Sequence, residues 1–176
     1  GVLTPIFKGK GSRTDPAGYR PVTVTTIQYR ILARAMAQRM GAVIHHVVDS
    51  SQIGFQSLRR IQENIDLACE AIRYVREPGE NRGGVFVFLD NEKAFDRVQW
   101  SMIHDTLEAY GFPAEFRTAV RTLYTDAMTL TKVNGHRSQA WKVSSAVRQG
   151  CPLSAFLFLM VQEVQLHMIR TDSRIR

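Results

Sequence analysis

The sequence predicts an α+β fold, and three observations carry that expectation. Two stretches read as strand–turn–strand, near residues 3–24 and 129–143. Five stretches repeat apolar residues at helical spacing. Between them lies Val85, Phe86, Val87, Phe88 and Leu89, a continuous β-branched and aromatic run closed by a single carboxylate, Asp90. A run of that kind suits a strand covered on both faces.

The elements follow in order. Residues 3–7 form the first strand. Residues 8–18, rich in Gly, Lys, Arg, Asp and Pro, make a basic turn, and residues 21–24 return. From 26 to about 48, Ile27, Ile31, Ala35, Arg39 (by its stem), Val43 and Val47 step by four, and Leu32, Met36, Met40 and Ile44 widen that face into a long amphipathic helix. Ile61, Ile65, Ala68, Ile72 and Val75 mark a second helix, which Pro78 and Gly79 stop. After Asp90 come the helix-prone residues Asn91, Glu92, Lys93 and Ala94. Trp100, Ile103, Leu107 and Tyr110 face one side of a third helix, ended by Gly111. Pro113 suits the first turn of a fourth, which carries Phe116, Val120 and Leu123. Asn134-Gly135 is a strong turn signal between strands 129–133 and 139–143. The last helix spans 152–170, with Leu153, Phe156, Leu157, Met160, Val161, Val164 and Met168 buried. The loop 77–84 is the best boundary between two subdomains, 1–80 and 81–176.

Composition narrows the function classes. A chain of 176 residues, 44% apolar, has enough side chain for a real core. Lys and Arg number 23 against 16 Asp and Glu, a net charge of +7, which favours a polyanionic partner such as nucleic acid. Cys69 and Cys151 lie far apart without metal-ligand spacing, so reduced thiols are expected. His45 and His46 lack ligands at metal spacing and read as ordinary surface or boundary residues. No apolar stretch reaches the ~20 residues that span a bilayer, and no charged-then-apolar leader opens the chain. An intracellular protein, nuclear or cytoplasmic and without a membrane partner, is therefore expected.

Two strings carry chemistry. Asp90 ends an apolar strand, where an unpaired charge is costly, so an acid there coordinates a metal or an opposite charge, or caps the next helix. About fifty residues on, the polar turn Arg148-Gln149-Gly150 runs straight into a helix that is apolar almost all round. Glycine lets backbone approach a ligand closely, and Gln149 offers both a donor and an acceptor.

In this order the strings GGVFVFLDNEKAFDRV (from Gly83) and AVRQGCPLSAFLFLM (from Ala146) resemble the reverse transcriptase domain of non-LTR retrotransposons. PIFKGKG from Pro5, GYRPVTV from Gly18, ILARAMAQRM from Ile31 and QIGFQSLRRIQENI from Gln52 extend the resemblance over essentially the whole chain. LDNEKAFD and RQGCPLS are highly specific for the family; the basic N-terminal strings are less so.

The resemblance implies fingers followed by the first part of a palm, whose antiparallel sheet is backed by helices. It implies RNA-directed DNA synthesis by two Mg²⁺ ions, with an RNA template, a DNA primer and deoxynucleoside triphosphates as partners. Asp90 would bridge both ions, and the carbonyl of Asn91 would touch the triphosphate-side ion. Phe95 would lie under the incoming sugar and exclude a 2′-hydroxyl; simple core packing is the alternative. Gln149 and Gly150 would sit against the nucleotide and its template base. Arg20, and after it Lys8, would neutralise the phosphates, with Lys10 and Arg13 reading equally as a solvated hairpin. Asp96 is expected to cap or orient the following helix. Arg34, Arg39, Arg59 and Arg60 are candidate contacts to template phosphates.

Two departures accompany the resemblance. Leu58 stands where the family usually has glycine, and Arg60 where it has a small residue. The family's next element, a hairpin with paired aspartates, has no counterpart here: no Tyr-x-Asp-Asp string occurs. A fragment, inactive as this chain alone, is therefore expected. The rivals are a noncatalytic nucleic-acid-binding remnant, a group II intron-type maturase relative, and a metal-dependent nuclease built on Asp90, Glu92 and Asp96. Oligomeric state is not legible.

Overall fold

A computed structural model describes residues 1–56, 59–77 and 85–175. The expected helix stop at Pro78 and Gly79, most of the boundary loop, and Leu58 lie outside these residues. Strand β1 (Val2–Phe7) and strand β2 (Tyr19–Val24) form an antiparallel hairpin with Ile6 opposite Arg20 and Thr4 opposite Val22. Its turn is tied by the Lys8 N–H donating to the Gly18 carbonyl at 2.8 Å, and the Asp15 side chain caps a short 3₁₀ turn at Pro16–Gly18. Helix α1 (Ile27–Val47) starts where Thr26 accepts from the Tyr29 N–H, as its hydroxyl suits it to do. Helix α2 (Ile61–Arg76) follows, then α3 (Trp100–Ala109) and α4 (Ala114–Tyr124), the last preceded by Pro113 as its N-cap.

Strand β3 (Met128–Val133) turns at Asn134 and Gly135, whose φ angles of 49° and 85° suit the tight hairpin turn that Asn-Gly prefers. The return is split into β4 (His136–Arg137) and β5 (Trp141–Lys142), both antiparallel to β3. Helix α5 (Ser154–Thr171) completes the described elements. The sheet order is β2-β1-β3-β4, with β5 also on β3.

The sheet corrects the expectation of a purely antiparallel arrangement. β1 and β3 run parallel, Val2 opposite Leu130, because several helices and more than a hundred residues separate them and leave the return direction free. The Gly1 carbonyl accepts from the Leu130 N–H and the Thr129 hydroxyl, each at 3.1 Å, which locks that pairing.

The core gathers Ala33, Met36, Met40 and Ile44 of α1 with Ile103 and Leu107 of α3, Val120 and Tyr124 of α4, and Leu157, Leu159 and Met160 of α5. The four-step stripe read from the sequence is not the buried face of α1. Ile27, Ile31, Ala35 and Val43 are exposed and Val47 is half-buried, while of the widening residues Met36, Met40 and Ile44 are enclosed and Leu32 is exposed.

A second correction concerns residues 85–89. They form no strand, and Val85, Phe88 and Leu89 are 90%, 83% and 72% exposed. A strand needs a neighbour to satisfy its N–H and C=O groups, and no described segment pairs with this run. Helix α2 is amphipathic as expected, yet it buries none of its residues. The helix expected directly after Asp90 is instead a series of turns over 92–97, with Lys93 at φ 53°. Among the described residues no helix is long and apolar enough to cross a membrane.

Candidate functional site

The two chemistry-bearing strings, fifty residues apart in sequence, are zipped together by backbone. The Val147 N–H donates to the Phe95 carbonyl at 2.9 Å, and the Ala146 N–H to the Val98 carbonyl at 2.8 Å. Trp100 Nε1 donates to the Ala146 carbonyl at 2.8 Å, closing the same junction from α3. The next residues pass to the β1–β2 hairpin: Gln149 bridges Val22 in parallel, and its carbonyl accepts from the Thr23 N–H at 2.9 Å. Paired residues project to one face and alternate residues share it, so Gln149, Val22 and Arg20 lie on one side of this small sheet.

Gly150 sits at φ +102°, and a Cβ there would stand 3.2 Å from the Thr23 carbonyl oxygen. Both facts require glycine: the dihedral is hostile to L side chains, and β2 passes too close.

Arg148 anchors the turn from below. Its Nη1 donates to Tyr29 Oη at 2.6 Å and to the Leu123 carbonyl at 3.0 Å. Its guanidinium carbon lies 4.8 Å from the centroid of Tyr29 and 5.4 Å from that of Tyr124. Charge-assisted hydrogen bonds and cation–π contacts of this kind together contribute on the order of 2–4 kcal/mol. Burial pushes the phenols of Tyr29 and Tyr124 well above their ordinary value, against the pull of the Arg148 cation. Both rings therefore stay neutral and serve as a cradle. Tyr29 Oη also lies 3.7 Å from the buried Cys151 Sγ.

Gln149 Nε2 donates to Asp96 Oδ1 at 3.2 Å. This corrects the expected helix-capping role of Asp96, because α3 has Gln99 at its N-cap with no side-chain cap. A cavity of about 320 Å³ adjoins this contact; Asp96, Trp100, Tyr124, Trp141, Arg148 and Gln149 are among its walls.

The other candidates fall out as follows. Phe95 is partly exposed and braced by Phe158 and Phe55, with ring centroids 5.0 and 6.2 Å away. Lys8 Nζ is bound to the Ala17 carbonyl of its own hairpin at 2.9 Å. Arg20 is exposed, without a hydrogen-bond or ion-pair partner among the described residues. Asn91 Nδ2 donates to Gln162 Oε1 on α5 at 3.0 Å, tying the segment after residues 85–89 to that helix. Asp90 is exposed, and no hydrogen bond joins its carboxylate to Gln149, whose amide goes to Asp96.

Among the described residues no group of three or more His, Cys, Asp or Glu could hold a metal ion. Glu92 pairs with Arg97 at 2.9 Å on the surface, and Asp96 is taken by Gln149, so the nuclease trio of Asp90, Glu92 and Asp96 does not assemble. One carboxylate and one carbonyl, at Asp90 and Asn91, do not make a two-ion site by themselves. His45 and His46 are exposed, as expected, with their rings 3.8 Å apart.

Sequence reasoning missed the Asp96–Gln149 contact, Tyr29, Tyr124 and the anchoring role of Arg148. Asp96 was legible as a polar residue beside Phe95, but its partner lies 53 residues away. Tyr29 and Tyr124 carried no local signal, since aromatic residues on helices are ordinarily core.

A family model described as reverse transcriptase (RNA-dependent DNA polymerase) matches residues 8–175. The chain is 34% identical over 165 residues to the Transposon TX1 uncharacterized 149 kDa protein of Xenopus laevis, covering 94% of this chain and 12% of that protein. It is 30% identical over 155 residues to the retrovirus-related Pol polyprotein from the type-1 retrotransposable element R2 of Nasonia vitripennis, covering 88% and 15%. Similarity at 22% identity over 169 residues extends to a probable RNA-directed DNA polymerase from transposon X-element of Drosophila melanogaster, covering 91% and 18%. The chain thus spans less than a fifth of the length of each of these relatives.

Proposed function

We propose that this chain, which belongs to the reverse transcriptase (RNA-dependent DNA polymerase) family of non-LTR retrotransposons, is the nucleotide-receiving part of an RNA-directed DNA polymerase. The observation that carries this reading is the junction of its two characteristic strings. The Val147–Phe95 hydrogen bond and the Gln149–Asp96 contact bring a polar turn and an aromatic residue to one place, beside a basic hairpin.

In this reading a primer 3′-hydroxyl attacks the α-phosphate of a deoxynucleotide, and pyrophosphate leaves. Arg20 supplies positive charge to the phosphates, on the same face of β2 as Gln149. Lys8 contributes only after giving up its bond to Ala17. Gly150 lets the nucleotide approach the backbone, and Gln149 meets it with a polar group. The Phe95 ring, braced by Phe158, is rigid enough to reject a 2′-hydroxyl. Mg²⁺ is the implied cofactor, with Asp90 and the Asn91 carbonyl as its donors from this chain. Those two do not complete a two-ion site, so this chain alone should not extend a primer. RNA template and DNA primer are the partners, with residues 1–80 serving as fingers and 81–176 as part of a palm. The setting is intracellular, in nucleus or cytoplasm.

Binding tests this without requiring turnover. A fluorescently labelled RNA template annealed to a DNA primer should bind the chain with an affinity that falls steeply with salt. A deoxynucleoside triphosphate with Mg²⁺ should then change the emission of Trp100 and Trp141, and Gln149→Ala or Arg20→Ala should weaken that response. Duplex binding without any nucleotide response supports the noncatalytic alternative instead, and chelator-sensitive strand cleavage contradicts both.

A further inference from the structure

We propose that Asp96 is a positioning residue, which fixes the Gln149 amide so that its carbonyl oxygen, and not its NH₂, faces the ligand. The inference rests on the reading that Gln149 meets the nucleotide, and it specifies what Gln149 demands: a hydrogen-bond donor.

Chemical polarity decides the orientation. A glutamine amide has a donor end and an acceptor end of nearly equal shape, and nothing intrinsic decides which faces a ligand. An ionised carboxylate only accepts. The Asp96 Oδ1–Gln149 Nε2 contact at 3.2 Å therefore selects one of the two orientations and directs Oε1 away from Asp96. The negative charge on Asp96 also polarises the amide, which makes the outward oxygen a better acceptor.

The backbone on both sides of this contact is held in place. The Gln149 main chain is held by Thr23 and by the Arg148 anchor. Asp96 is held by its N–H donating to the Lys93 carbonyl at 2.9 Å and by its neighbour Phe95 pairing with Val147. Asp96 has no ion-pair partner among the described residues, so its charge is not spent on a structural salt bridge. What the backbone leaves open is the orientation of the Gln149 amide, and Asp96 is the group that selects it.

The test compares the wild-type chain with Asp96→Asn, Asp96→Leu, Gln149→Glu and the double variant Asp96→Asn/Gln149→Glu. The probe is a deoxynucleoside triphosphate with Mg²⁺, titrated in the presence of the template–primer duplex. The chain's two tryptophans both line the cavity beside Asp96, so their emission reports the titration. In parallel, the Gln149 side-chain NH₂ signals are followed in the ¹⁵N-labelled protein. Asp96→Leu frees the amide and should weaken binding roughly tenfold. Asp96→Asn accepts either orientation and should weaken it about two- to fivefold. Gln149→Glu sets two carboxylates against each other and should lose at least tenfold. The double variant has the wild-type charge: the carboxamide introduced at position 96 donates to one oxygen of the carboxylate introduced at position 149, while the other oxygen faces outward. It should therefore return to within about threefold of wild type, a rescue that a purely structural role does not give.

Nucleotide affinity unchanged by Asp96→Asn and Asp96→Leu overturns the inference, as does a double variant no better than Gln149→Glu. Where Asp96→Leu fails to fold, the near-isosteric Asp96→Asn and the double variant decide. Unperturbed Gln149 NH₂ signals in Asp96→Asn also overturn it. Absence of any nucleotide response in the wild-type chain overturns the functional reading and with it this inference, whereas a wild-type response that the variants leave unchanged overturns this inference alone.

Discussion

Replacing Gly150 by alanine isolates the closest approach in the site, and the cost follows from two geometric facts. At φ +102° an L residue is strained by roughly 1–3 kcal/mol. The new Cβ would also stand 3.2 Å from the Thr23 carbonyl oxygen and 3.6 Å from Val22 Cγ1, so β2 must yield by a few tenths of an ångström. That movement stretches the 2.9 Å hydrogen bond from the Thr23 N–H to the Gln149 carbonyl, worth about 1 kcal/mol. The sum is about 3 kcal/mol, or a fall in Tm on the order of 6–12 °C for a chain of this size.

Gly135 supplies the control. It is also left-handed, at φ +85°, but a Cβ there meets nothing within 4 Å. Gly135→Ala therefore carries the dihedral cost alone, about 1–2 kcal/mol. Urea unfolding followed by circular dichroism measures both variants, with equal m-values required for the comparison. At a temperature where both remain folded, Gly150→Ala should also lose the nucleotide response and Gly135→Ala should keep it. Equal destabilisation by the two substitutions would falsify the claim that the 148–150 turn is pressed against β2.

Three further outcomes follow from the same geometry. Arg148→Met, which keeps the stem but removes the guanidinium, should destabilise the chain by about 2–4 kcal/mol and alter the near-ultraviolet signal of the tyrosines; Arg97→Met, at the exposed pair with Glu92, should leave stability within error, and similar losses for both would refute the anchor. Alkali should unfold the protein cooperatively: burial raises the phenols of Tyr29 and Tyr124 above the unfolded value of 10.0, so their stabilising contribution is complete below about pH 10 and is lost as pH rises beyond it. Spectrophotometric titration in which all five tyrosines ionise near pH 10 without unfolding would contradict this. Phe95→Val should raise the affinity for a ribonucleoside triphosphate relative to the deoxy form, with some loss of packing against Phe158; an unchanged ratio in a folded variant returns Phe95 to a core role alone.

Periodicity made the helices legible because it depends on neighbours three and four residues away, which the sequence displays directly. Residues 26–48 announced α1, and Asn134-Gly135 announced the turn after β3. The parallel pairing of β1 with β3 was not legible, since nothing local to Val2 or Leu130 encodes the direction of a partner 128 residues away. Residues 85–89 expose the limit of the same reasoning. Their composition declares that they belong under cover, but composition cannot name the segment that covers them, and no described strand does so. At the site, glycine and glutamine were readable as an unusual turn, whereas the tyrosine cradle of Arg148 joins Tyr29, Leu123 and Tyr124 from two helices and exists only after the core has formed.

The same contrast separates the basic residues of the first hairpin, which look equivalent in sequence. Lys8 is bound to the Ala17 carbonyl, and Arg13 lies over the Phe7 ring at 5.3 Å while its own carbonyl accepts from the Tyr19 hydroxyl at 2.8 Å. Those contacts brace the hairpin internally, so reaching out to a phosphate means breaking about 1 kcal/mol of existing interaction for each. Arg20 faces no such cost, and strand alternation sets it on the side of β2 that Gln149 joins. The hairpin therefore uses Lys8 and Arg13 to hold its shape and leaves Lys10 and Arg20 without side-chain partners among the described residues, with Arg20 on the side of β2 that Gln149 joins. A diffuse basic surface would distribute its free charges without regard to Gln149. An arginine without a side-chain partner, beside a turn held by β2, by the Arg148 cradle and by Asp96, is what marks this corner as the candidate site to test first.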